Sequence, residues 1–128
     1  MIANEFVIEL EDNPGELAEV CDMLGSNNIN MKAIATDRVG HQRFIRILVD
    51  DDKKAKKLLD DADLIYTTNH VVVKTMDDTP NSLTKAARAL GKKGINIEAV
   101  YLLSRSGKKV NLVFSLDDAQ QGARVLKD

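Results

Sequence analysis

The sequence predicts an α+β chain made of two copies of one βαββαβ unit, each an antiparallel sheet with its helices on one face. Three observations lead there: an internal duplication, hydrophobic periods that switch between two and 3.6 residues in the same order in both halves, and turn residues at the joints. Shifted by 66 positions, Asp12 falls on Asp78, Pro14 on Pro80, Leu17 on Leu83, Leu24 on Leu90 and Gly25 on Gly91. The register runs on through Ile29 and Ile95, Asn30 and Asn96, Ala33 and Ala99, and sets Asp51-Asp52 on Asp117-Asp118. A late insertion in the second copy then brings Leu59 onto Leu126. One offset held this long marks two related units, placed at residues 1–68 and 69–128.

Each element has its own warrant. Residues 5–11 alternate apolar and polar, as a strand with one wet face does. Pro14 opens a helix whose Leu17, Val20, Cys21 and Leu24 follow the i, i+3, i+4, i+7 stripe of a buried face, with Gly25 as its stop. A strand from Ile29, a hairpin at Val39-Gly40-His41 and a return strand over 44–49 follow. The acids Asp50-Asp51-Asp52 suit a helix N-terminus, and this second helix is expected to bury Ala55, Leu58, Leu59 and Ala62 while its lysines face water. Residues 63–67 make a short fourth strand. The second copy repeats the order with strand 70–76, helix 80–91, strands 95–104 and 109–116, and helix 117–127. No segment follows to make its fourth strand, so an unfilled edge position is expected there. With right-handed crossovers, each unit becomes a split-βαβ, ferredoxin-like sandwich.

Composition narrows the function classes. The 128 residues are 44% hydrophobic and 30% charged, the balance of a globular protein. Eighteen basic against 20 acidic side chains give a net charge of −2, which leaves no basic field for a polyanion. A lone cysteine fits a reducing compartment, and neither a leader nor a span of roughly 20 apolar residues is visible. The expected location is the cytoplasm, with no membrane partner.

The stretch Glu11-Asp12-Asn13-Pro14-Gly15-Glu16-Leu17, followed by a helix and then Ile29-Asn30-Met31, resembles the signature of ACT domains. The second copy matches less completely, through Asp77-Asp78-Thr79-Pro80-Asn81-Ser82-Leu83 and Ile95-Asn96-Ile97. The resemblance covers nearly the whole chain. It implies a regulatory module that binds a small amino acid between paired units and controls a metabolic enzyme or transcription regulator. It also implies ligand contacts from Asp12, Asn30 and Met31 in the first unit and Asp78, Asn96 and Ile97 in the second. The rest of each loop, Asn13, Pro14, Gly15, Glu16 and Leu17, with Thr79, Asn81 and Ser82, completes the candidate ligand-binding set.

The residues themselves leave two readings of the first loop. Asn13 as N-cap, Pro14 at the first helical position and Glu16 closing a capping box would explain it as a well-made helix start. Gly15 has no place in that account, because glycine inside a first turn costs roughly 1 kcal/mol relative to alanine. The absence of a side chain would let a carboxylate reach helix N-terminal N–H groups. Asn30 and Asn96 present carboxamides able to read both ends of a zwitterion, or simply to close a turn on their own backbone. Asn81, standing where the first copy has Gly15, makes the two sites unequal.

Other chemistry is not expected. Cys21 reads as a small core residue, and His41 and His70 lack partners at metal-ligand spacing. No nucleophile–base pair, phosphate loop or cofactor motif is present, so neither catalysis nor a cofactor is expected. RNA recognition on a ferredoxin-like sheet needs stacked aromatics, and Phe6, Phe44, Tyr101 and Phe114 are scattered. The remaining expectation is a homo-oligomeric sensor, with a ligand-free interaction scaffold as the alternative.

Overall fold

Alternation in the first ten residues does produce a strand, β1 (Ile2–Leu10), which leads into helix α1 (Glu16–Ser26). After α1 come β2 (Met31–Val39), β3 (Gln42–Val49), α2 (Asp52–Asp61) and β4 (Tyr66–Asp77). The remainder is α3 (Ser82–Lys92), β5 (Ile97–Ser106), β6 (Lys109–Leu116) and α4 (Ala119–Val125). This computed structural model describes residues 1–127. The chain forms two compact units: the first is Asn4–Asn69, and the second runs from His70 onward together with Met1–Ala3.

In the first unit the strand order is β2-β3-β1, antiparallel throughout, with Phe6 opposite Ile47 and Ile34 opposite Ile47 on its other side. The Glu9 N–H donates to the Ile65 carbonyl at 2.8 Å, so the start of β4 lies beside β1. Phe6, Ile8 and Leu10 point to one face and meet Val20 and Leu24 of α1 and Ala55 and Leu59 of α2. Each fully buried leucine there contributes roughly 1.5–3 kcal/mol. Both helices therefore cover one face of the sheet.

The second unit repeats this with β4-β6-β5 under α3 and α4, around Val72, Leu90, Phe114 and Leu126. Its fourth strand position, expected to stay unfilled, is taken by the chain's own first residues. The Met1 carbonyl accepts from the Val73 N–H at 2.8 Å and the Met1 amine donates back to the Val73 carbonyl at 3.3 Å, the reciprocal pattern of an antiparallel pair.

Three local expectations are corrected. Ala62, expected to be buried, is exposed as the C-cap residue of α2. Cys21 stands half-exposed beside Leu17 rather than in the core. The register of the repeat also changes earlier than the sequence offset placed it. The ladder of β5 on β6 shifts between Leu102 and Ser104, adding one residue to β5 relative to β2. Consequently Asp118, not Asp117, is the counterpart of Asp51: both are helix N-caps with φ/ψ of −141°/90° and −140°/91°.

A buried ion pair escaped the sequence reading. Glu5 has no solvent exposure and its Oε1 accepts from Arg46 Nη1 at 3.1 Å and Asn69 Nδ2 at 3.3 Å. In an alternating strand such a glutamate reads as a wet-face residue, and only the tertiary fold buries it.

Candidate functional site

The first loop does not form the capping box that its sequence spells. Helix α1 starts at Glu16 and its N-cap is Gly15, held at φ 92°, ψ −10° with no side-chain hydrogen bond to the cap. Asn13 turns away, its Nδ2 donating to Glu11 Oε2 at 3.3 Å. The Asn13 carbonyl instead accepts from the Glu16 N–H at 3.4 Å, and the first bond of the helix ladder is from Glu19 N–H to the Gly15 carbonyl at 3.0 Å. The glycine now has a conformational reason: L residues rarely adopt that φ. A Cβ placed on it would meet nothing within 4 Å, so no neighbour crowds Gly15 where a side chain would stand.

The four helix starts divide into two kinds. In α2 and α4 the Asp51 and Asp118 side chains accept from the N–H groups of Lys54 and Gln121, at 3.1 and 3.0 Å. In α1 and α3 no side chain does so. The Glu16 and Ser82 N–H groups donate to the Asn13 and Thr79 carbonyls at 3.4 and 3.3 Å. The N–H groups that follow them in the first turn have no acceptor inside their own helix, so the starts of α1 and α3 still turn donors and partial positive charge outward.

Asp12 and Asp78 anchor their loops to the adjoining hairpins. Asp12 Oδ1 lies 2.6 Å from Arg43 Nε, with Arg38 Nη2 3.8 Å from Oδ2, and Asp78 Oδ2 lies 3.1 Å from Arg105 Nε. Beside Asp78, Lys109 Nζ at 2.6 Å holds the Asp77 carboxyl below the ordinary carboxylate range. A cavity of about 370 Å³ adjoins the first loop, lined by Glu9, Glu11, Asp12, Glu16 and Asp63 with His41. The one next to the second loop, about 450 Å³, has Lys74, Lys85 and Lys109 on its wall with Asp77 and Ser82. The surroundings of the two loops thus carry opposite charge. Asn81 sits at φ −101°, far from the Gly15 conformation, and Thr79 Oγ1 and Ser82 Oγ are 2.8 Å apart.

Of the candidate residues, Asp12 and Glu16 line the acidic cavity, and Asn13, Pro14, Gly15 and Leu17 belong to the same turn and helix start. Asn30 and Met31 lie elsewhere. Leu10 pairs with Arg43, whereas Met31 pairs with Val49, six residues further along β3. At about 3.3 Å per residue the separation is roughly 20 Å, so loop and strand start occupy opposite ends of the unit. In the second unit Asp77 pairs with Lys109 and Ile97 with Leu116, giving the same division. At those far ends the backbone N–H of Asn30 donates to Asp50 Oδ1 at 3.1 Å, and that of Asn96 to Asp117 Oδ1 at 3.0 Å. Both carboxamides stay exposed. Among the described residues no group of three or more His, Cys, Asp or Glu is placed to hold a metal ion, and no helix is long and apolar enough to cross a membrane.

This loop, repeated on two ferredoxin-like units, defines a class of protein. The chain belongs to the ACT domain pair family, whose model matches residues 1–127. It is a regulatory module by family. Among solved structures it is similar to protein BT0572 from Bacteroides thetaiotaomicron, at 28% identity and TM-score 0.88 over 98% of this chain and 87% of that one. It is also similar to the ligand-free regulatory subunit of aspartate kinase from Thermus thermophilus, at 20% identity and TM-score 0.65 over 98% and 89%. Aspartate kinase from Clostridium acetobutylicum shares the fold at 17% identity and TM-score 0.62, over 98% of this chain and 33% of that enzyme. No curated protein sequence matches.

Proposed function

We propose that the chain senses a small amino acid at the start of α1 and passes that state to a metabolic enzyme or transcription regulator, without catalysing a reaction itself. The observation that carries this reading is the α1 start with no side-chain cap and with Gly15 at φ 92°, beside the cavity that Asp12 and Glu16 line. A ligand carboxylate would take the first-turn N–H groups, and the acidic cavity at Asp12 and Glu16 supplies charge for its ammonium. Because Asn30 lies some 20 Å away along its own sheet, a strand start from another ACT unit would have to complete the site. Of the two loops, the first is favoured: the second has Asn81 at the place of Gly15, and the cavity beside it is lined mainly by lysines, with Asp77, rather than by carboxylates.

The aspartate kinase regulatory subunit that shares this fold supports a role in responding to a metabolite, as does membership of the ACT family. Cytoplasmic residence and a homo-oligomeric state belong to the same reading. Thermal unfolding measured with each proteinogenic amino acid tests it. A ligand at 100 times its Kd adds about 2.7 kcal/mol, so at least one amino acid should raise Tm by several degrees. A flat response to all of them would leave the chain an interaction scaffold.

A further inference from the structure

Strand β4 runs past the last residue that covers its outer edge. Met1 and Val73 exchange both backbone bonds, so the N–H and C=O of Val73 point away from β6. Bonding direction alternates along a strand, and Thr75 and Asp77, two and four residues beyond Val73, therefore point the same outward way. The residues between them turn to β6, as does Asp78, whose N–H donates to the Lys108 carbonyl at 2.9 Å. Among the described residues no backbone group pairs with Thr75 or Asp77 on the outward side. An uncovered stretch of this kind is a template for another strand.

The first unit shows what fits there. At the repeat offset Thr75 corresponds to Glu9, whose N–H donates to the Ile65 carbonyl. That edge is covered by the unit's own segment 63–65, and Leu64 packs against the first core. Beside Thr75 the same place is the groove of about 450 Å³ between β4 and α3, the α3 groove, with Met76, Ala89, Val125 and Leu126 as its apolar surface. Charge then selects the occupant. Lys74, Lys85, Lys109 and Lys127 line the groove, against Asp77 as the one carboxylate among the described lining residues, itself held by Lys109 at 2.6 Å. An entering strand with acidic side chains is matched and a basic one is repelled. The segment that fills the corresponding place in the first unit carries Asp60, Asp61 and Asp63 at its start.

We infer that this edge docks an extended acidic segment of a partner protein, which adds to β4 as an antiparallel strand along Thr75–Asp77. One of its apolar side chains sits on the groove's apolar surface as Leu64 does on the first core, and its acids face the lysines. The inference goes beyond the sensing proposed above and stands whether or not an amino acid binds.

A synthetic peptide with the sequence of residues 60–67 carries both features, three acids and the Leu64-Ile65 pair, and serves as the probe. Added to the full chain without amino acid, it should bind saturably, and more weakly as salt is raised. Amide hydrogen exchange should then show Thr75 and Asp77 newly protected, a readout that needs no variant. Lys85 is exposed on α3, so Lys85→Glu should fold normally and weaken binding about fivefold or more. Thr75→Pro removes the outward N–H without touching the β6 ladder, which edge strands tolerate; with the fold checked by circular dichroism, it should abolish binding. A peptide that does not bind, or that binds while leaving Thr75 and Asp77 unprotected, would overturn the inference. So would equal binding by a peptide with Asp60→Asn, Asp61→Asn and Asp63→Asn. Protection of the same amides that grows with protein concentration in the absence of peptide would put a second copy on the edge and overturn it too. Because no amino acid is added, these results are separate from the thermal test of amino-acid binding.

Discussion

Gly15→Ala and Gly25→Ala are the same chemical change on the same helix, and the structure requires opposite outcomes. Gly25 lies inside α1 with ordinary helical φ, and a Cβ there meets nothing within 4 Å. Alanine should therefore stabilise the chain by about 0.5–1 kcal/mol, through helix propensity and a less flexible unfolded state. Gly15 is equally open around its Cβ, so sterics against neighbours contribute nothing; only φ 92° matters. Holding an L residue there costs about 1–2 kcal/mol, offset by about 0.4–1 kcal/mol of unfolded-state entropy. The net is a loss near 1 kcal/mol, a Tm fall of about 3–5 °C for a chain of this length. Urea denaturation of both variants beside the wild type measures the pair. Should Gly15→Ala match or exceed the wild type, the left-handed turn does not exist in solution and the argument for an uncapped helix start goes with it.

Other perturbations test neighbouring steps. Arg46→Met strands the fully buried Glu5 with less charge compensation and should cost about 3–5 kcal/mol; Glu5→Leu combined with Arg46→Met should recover most of it in the same denaturation assay. Gly122→Ala would drive a Cβ into Cδ1 of the buried Leu116, so about 1–3 kcal/mol of overpacking should outweigh the gain of about 1 kcal/mol in propensity and lower the urea midpoint. Asp51→Ala should cost about 1 kcal/mol as a lost N-cap, whereas Asn13→Ala, at a position the sequence marks as a cap, should change stability by less than about 0.5 kcal/mol.

The fold was readable because its signals are local and doubled. Phe6, Ile8 and Leu10 alternate, Val20 and Leu24 are one turn apart, and the second copy restates both patterns at Val72 and Met76 and at Ala86 and Leu90. What stayed hidden depends on partners far along the chain. Nothing near Met1 announces its pairing with Val73, and nothing near Glu5 announces Arg46 and Asn69. The bulge in β5 was also invisible, since residues 102–104 read as an uninterrupted strand; this is why the acidic run was aligned one place off. At the candidate site the motif was legible but its geometry was not. The Asn13-Pro14-Gly15-Glu16 string spells a capping box, and the backbone at Gly15 begins the helix two residues later instead. Similarly, the sequence offered Asn30 as a companion of Gly15 without showing that one sheet holds them at opposite ends. The α1 stripe was taken to include Leu17 and Cys21, although the sheet covers only its Val20–Leu24 side.

The most direct measurement of the central claim is an amide nitrogen–proton correlation spectrum of the labelled chain, titrated with whichever amino acid raises Tm. If the α1 start is the binding site, the resonances of Gly15, Glu16, Leu17 and Ala18 should move most, and Gly15→Val should abolish the shifts while the rest of the spectrum stays dispersed. Shifts confined to the α3 groove or to the opposite loop, with the Gly15–Ala18 amides unmoved, would contradict it.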